Sequence, residues 1–239
     1  MISVYVLLVL IPLSLLSWKC SYFMTFYNHN AEPISPVRFL IALVVPILIS
    51  QWSLRRQSLD ISGAVAACVV GFIMTISNLG FFSALLSFFI AGSKVTKFRA
   101  QQKKSIEEDF KEGTNGGISV IGTLASFVGG AVVSVAFYLT LVLVANEDYL
   151  TSSPPQWPLI FVGGMCGLLG SIIDSFLGAT LQYSGYDKSS GRIVNKPGPS
   201  VEHICGTVFL DNHSVNLVAS LSTALLAPRI AFMVWTHFT

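Results

Sequence analysis

A polytopic, all-α membrane helix bundle with about seven transmembrane helices is the fold class this sequence predicts, and three observations predict it. Of the 239 residues, 53% are hydrophobic and only 11% are charged, where a soluble domain carries roughly 25% charged residues. Mean hydropathy is +0.69, and repeated apolar runs approach the ~20 residues a helix needs to cross the hydrocarbon core. No segment alternates apolar and polar residues in the manner of a membrane barrel, so strands are not expected. Residues 1–239 read as one integral membrane domain.

The expected spans, in order, are Ile2 to Trp18, Val37 to Leu54, Ile61 to Ser77, Leu79 to Ser93, Ile118 to Ala145, Leu159 to Leu181 and Val215 to Trp235. The first lacks a basic leader and a small-residue cleavage site, so it reads as an uncleaved anchor. Only Asn78 separates the third from the fourth; this pair reads as a tight hairpin, one long kinked span or a re-entrant pair. Residues 94–117 form a basic and acidic connection, and 182–214 a polar loop rich in Gly, Pro and Ser.

Lys and Arg in short loops set orientation. With the N-terminus cytoplasmic, that side collects Arg55, Arg56, Lys94, Lys97, Arg99, Lys103, Lys104, Lys111, Lys188, Arg192 and Lys196. The loop from Asn146 to Pro158 carries Glu147 and Asp148 and no basic residue, as an outer or lumenal loop should. The net charge of +2 and the absence of interleaved basic and aromatic residues argue against a nucleic-acid partner. The four cysteines have neither zinc spacing nor a disulfide framework. Nucleotide signatures of soluble folds, such as G-x-x-x-x-G-K-[ST] or G-x-G-x-x-G, are missing.

Polar chemistry collects around one carboxylate. Along the helix that contains GLLGSIIDSFLGATLQYSGYD, Gly163, Gly167, Gly170, Ser171, Asp174, Ser175 and Gly178 recur at spacings of three and four and share a helix face. Small residues on a stripe admit a neighbouring helix backbone, so Asp174 is expected to face protein, roughly 9 Å inside the cytoplasmic helix end. A carboxylate at that depth costs about 2.5–3.5 kcal/mol to insert, and such groups usually serve a pathway or a site.

Downstream, Asp211 and Asn212 suit helix N-caps, while Asp211 could also join Asp174 at one mouth to hold Mg²⁺, which takes oxygen ligands and substrate phosphates. Lys188 is then a phosphate partner, although orientation alone explains a basic residue there. In GTNGGISVIG, residues 113–122, the backbone of Thr114, Asn115, Gly116 and Gly117 precedes a helix start, where free N–H groups bind anions.

Four stretches, SLDISGAVAACVVGFI, GTNGGISVIG, PPQWPLIFVGGMCGLLGSIIDSFLGATLQYSGYD and LDNHSVNL, together resemble the transmembrane protein 19 family, a group that includes plant phytyl-phosphate kinases. The resemblance covers nearly the whole chain. It implies a prenyl-phosphate kinase using Mg²⁺ and a nucleoside triphosphate, with Asp174 and Asp211 as catalytic metal ligands and a membrane lipid, a prenyl phosphate, as substrate.

One departure stands out. Family members carry, before T-N-G-G, two further hydrophobic stretches and an acidic motif Gly-Asp-Thr-x-Ala-Ser-Glu; here residues 103–112 pass straight into 113–117. The chain resembles an alternatively spliced or truncated form, and loss of metal ligands implies loss of phosphoryl transfer. Two other classes stay open: a transporter or channel in which Asp174 binds a proton or cation, and a non-catalytic scaffold assembled through small-residue faces.

Overall fold

A computed structural model describes residues 12, 15–20, 22, 23, 34–106, 115–145 and 147–238. Most of the first expected span, and Thr114 of the expected phosphate cradle, lie outside these residues. The chain divides into two compact units, Met1–Leu86 and Ser87–Thr239.

In the first unit, helices α1 (Pro36–Arg55) and α2 (Ile61–Ser77) form an antiparallel hairpin. Ser35 caps α1 through its hydroxyl, which accepts from the Arg38 N–H, and Pro36 suits the first turn because its missing N–H would be unpaired there anyway. Asp60 caps α2, accepting from the Gly63 N–H and the Ser62 hydroxyl, each at 2.8 Å. The Ser62 bond, then that of Gly63, holds its carboxyl below the ordinary value. The Arg38 side chain donates to the Thr75 carbonyl at 2.8 Å, tying the start of α1 to the end of α2 where helix carbonyls lack partners.

Asn78 breaks the helix between the third and fourth spans. Its backbone is extended, ending α2, and its side-chain oxygen accepts from the Gly80 N–H at 2.7 Å, starting α3 (Leu79–Ile106). A single continuous span is excluded.

The second unit holds α4 (Val120–Val144), the short α5 (Glu147–Ser152), α6 (Pro158–Leu181), strands β1 (Gln182–Asp187), β2 (Arg192–Val194) and β3 (Val201–Val208), and α7 (Asn212–Phe238). α6 packs against both α4 and α7. Four described helices, α1, α4, α6 and α7, are long and apolar enough to cross a membrane, and two shorter apolar helices cover Ile61–Ser77 and Leu79–Val95. Few residues of α4 or α7 are fully buried within the protein, as expected where lipid covers their outer faces. The helical membrane fold is therefore as expected.

The sheet is the correction. The segment read as a polar loop folds, for most of its length, into a three-stranded antiparallel sheet in the order β2-β1-β3. Its core is polar: Gln182, Tyr183 and Ser184 are all buried. β3 carries Gly206 at φ +73, and a Cβ there would collide with the Gln182 carbonyl oxygen. Glycine alone tolerates both the left-handed backbone and that approach.

Candidate functional site

Close helix contact fixes the register of the second unit. A Cβ on Gly130 would strike the carbonyl of Gly163 and lie 3.2 Å from the Gly167 Cα, while one on Gly167 would strike the Ser126 carbonyl. Near the helix ends, a Cβ on Gly116 would meet the Ser175 carbonyl and Ala179. Each step along α4 is thus matched by one step back along α6, so Asp174 lies level with Ser119. On the other flank of α6, Gly170 faces Thr223 and the Leu210 N–H donates to the Leu181 carbonyl at 2.9 Å. That antiparallel register sets Asp174 level with the turn around Val218.

The starts of α4 and α7, the end of α6 and the sheet consequently share one end of the unit. A cleft of about 410 Å³ opens there between α4 and α6. Gly117, Ser119, Thr123 and Ser126 line one wall, and Ser171 and Ser175 the other. Ile118 and Ile172 give it an apolar border and are themselves 66% and 44% exposed.

Its hydroxyls are not equivalent. Ser119 caps α4, accepting from the Gly122 N–H at 3.0 Å. Thr123 and Ser126 donate to carbonyls one turn earlier, at 2.9 Å each. Among the described residues, the hydroxyls of Ser171 and Ser175 have no hydrogen-bond partner.

The sequence-selected residues distribute unevenly around this cleft. Gly117 lines it. Asn115 and Gly116 lie under it and hold the lead-in to α4 in place. The Asn115 backbone donates to the Ser184 hydroxyl at 3.0 Å, and its side-chain amide to the Tyr183 carbonyl and the Asn195 side chain at 3.0 and 3.1 Å. Gly116 has φ +82, open to glycine at little cost, and wedges against α6. Their backbone is thereby committed to docking, a role that sequence spacing did not suggest.

Asp174 is half-buried on the turn that carries Ser171 and Ser175. Its carboxylate makes no hydrogen bond or ion pair among the described residues. Asp211 lies elsewhere. Its carboxylate accepts from the Ser214 N–H at 2.8 Å and caps α7, and the bonds from Ser214 hold its carboxyl below the ordinary value. Along the register of α6 and α7 the two carboxylates stand roughly 10 Å apart in height. Mg²⁺ holds its ligand oxygens at about 2.0–2.1 Å, so the structure does not bring this pair onto one ion.

No group of three or more His, Cys, Asp or Glu gathers among the described residues. The donor set of the described residues does not fit a Mg²⁺–nucleotide centre; Glu107, Glu108, Asp109 and Glu112 lie outside them. Lys188, at the end of β1, pairs its ammonium with Glu202 at 3.2 Å, and both side chains are well exposed. The signal that sequence reading missed is the pair of serines flanking Asp174, which counted only as small residues on a stripe.

Comparison with known proteins adds the lineage. The sequence profile of the family described as integral membrane protein DUF92 matches residues 44–112 and 108–224. Protein PGR of Arabidopsis thaliana is 26% identical over 275 residues, covering 79% of this chain and 94% of the plant protein. No solved structure matches the chain. With the profile covering most of its length and its apolar helices in the matched region, the chain belongs to the DUF92 family of integral membrane proteins.

Proposed function

We propose that this chain is a shortened member of a prenyl-phosphate kinase lineage, related to the transmembrane protein 19 family. It holds the phosphate head of a prenyl lipid but does not transfer a phosphoryl group. The observation that carries this reading is the cleft at the start of α4. A helix N-terminus favours an anion, Ser171 and Ser175 offer hydroxyls not otherwise engaged, and the exposed Ile118 and Ile172 beside it suit an acyl or prenyl tail. A ligand that is anionic at one end and apolar along its length matches both halves.

Two features of the family match support the shortened form. The profile match breaks into two pieces at 108–112, where the acidic segment of related sequences is expected. The alignment with the plant protein runs 275 positions, longer than the whole chain, while using only 79% of it. On this reading, Mg²⁺ and a nucleoside triphosphate are held by the acidic motif of a longer form, and the N-terminus and the cleft face the cytoplasm. Asp174 is not among the residues that line the cleft, and on this reading it does not touch the head group. Asp211 and Lys188 keep structural roles.

The test compares this chain with the longer form. Purified in nanodiscs, this chain should retain radiolabelled geranylgeranyl phosphate but not geranylgeraniol, and should show no turnover with any nucleoside triphosphate. The longer form should phosphorylate the same lipid. Equal retention of the alcohol, or unchanged retention of the phosphate when both Ser171 and Ser175 are replaced by Leu, would remove the cleft from consideration.

A further inference from the structure

We propose that Val208 and Phe209 form a lipid anchor that seats the sheet end of the second unit in the headgroup layer of the membrane. The inference does not depend on what the cleft binds.

Depth is the first argument. α6 has 24 residues, about 36 Å of helix, against a hydrocarbon core of about 30 Å; its last residue, Leu181, therefore reaches just past the hydrocarbon. Phe209 and Leu210 are fastened at that level, both donating backbone N–H groups to the Leu181 carbonyl, at 3.3 and 2.9 Å. Val208 and Phe209 are 69% and 75% exposed, so the described residues leave most of both uncovered. Large apolar groups at this height are in the zone where aromatic residues prefer to lie.

The gradient along the sheet is the second. Val208 pairs with Gln182, next to the helix end, while Val201 pairs with Asp187 at the far end of β1. At about 3.3 Å per residue the far end stands well out in water. There the exposed groups are ionic, with Lys188 bonded to Glu202. Apolar exposure is thus greatest at the membrane-proximal end, where Val208 and Phe209 exceed the 44% of Ile204 midway along β3. α7 begins at Asn212, soon after Phe209 in the chain, and exposes Leu217 and Leu221.

A second copy of the chain is the competing occupant, because β3 is an edge strand and free edges template pairing. The register shifts between Gln182 and Gly185 and the left-handed Gly206 interrupt the edge beside the patch, which favours lipid.

Bimane on single cysteines at positions 208, 209, 225 and 188, in a chain with its native cysteines replaced, reports depth in nanodiscs. Position 225, on the exposed face of α7, is the lipid reference and 188 the water reference. Brominated lipid should quench 208 and 209 about twofold or more, as at 225, while aqueous iodide quenches only 188. Iodide quenching of 209 equal to that of 188 overturns the anchor, and so does shielding of 209 that appears only as protein concentration rises. If the cysteine-free chain does not fold, hydroxyl-radical footprinting of the native chain decides. Phe209 oxidation should be well below that of the same residue in its proteolytic peptide; equal oxidation refutes the proposal.

Discussion

The backbone N–H of Asn115 donates to the hydroxyl of Ser184 at 3.0 Å across 69 residues of chain. This bond joins the lead-in of α4 to the buried centre of β1 and so sets the base of the cleft. Removing the hydroxyl in Ser184→Ala leaves the amide without an acceptor in a partly closed site. The expected loss is about 1–3 kcal/mol, read from denaturant or thermal unfolding in detergent, together with faster hydrogen exchange at Asn115. Unchanged stability and exchange would mean the bond does not hold the lead-in.

Contact between α4 and α6 depends on missing side chains. Gly163→Leu drives a branched group into Ser134 and the Gly130 carbonyl and is expected to destabilise the unit by about 1–3 kcal/mol or prevent assembly. Gly129→Leu, one residue from Gly130 but with nothing within 4 Å of its Cβ, should be tolerated. The pair is measured by unfolding midpoint and by yield of monodisperse protein. Equal effects would contradict the close approach.

Asp211 gives a pH signature. Its folded carboxyl titrates below the ordinary value because of Ser214, and an unfolded Asp titrates near 3.9. The stabilisation from the cap is therefore fully present above that unfolded value and disappears as pH falls through the folded one. Asp211→Asn, which can still accept from Ser214, should flatten the acid limb of the unfolding midpoint against pH. An acid limb of the same shape in the variant would assign the titration to another group.

Ligand retention separates the cleft from the hairpin. Ser171→Leu with Ser175→Leu should abolish retention of geranylgeranyl phosphate, measured by co-purification in nanodiscs. Lys188→Ala should leave it unchanged within about twofold, since an exposed ion pair contributes little. The reverse pattern would move the phosphate site to the end of β1.

The helices were legible because an apolar run of membrane length has few other fates, and the described boundaries fall within a few residues of the expected ones except in α3, which runs on to Ile106 past the expected Ser93. One cap was legible too: Asp211 precedes a helix in the manner its short acceptor favours. The sheet was not. QYSGYD has no apolar alternation, and its strand partners lie beyond a turn, so pairing such as Gln182 with Val208 leaves no local pattern to read. The same distance hid the link from Asn115 to Ser184. At the site, Asp174 was legible as a charge on a small-residue face. Its separation from Asp211 was not, because it depends on how α6 and α7 align.

Gly206, folded against Gln182, also constrains biogenesis. During synthesis the hairpin of α4 and α6 can enter the bilayer well before β3 leaves the ribosome. Until then the end of α6 has no β3 partner for its Gln182 backbone, and β1 has no strand on that side. The two helices would thus be inserted first and latched afterwards, so a nascent chain stalled before residue 208 should be membrane-integrated yet cleaved readily by protease between α6 and the stall.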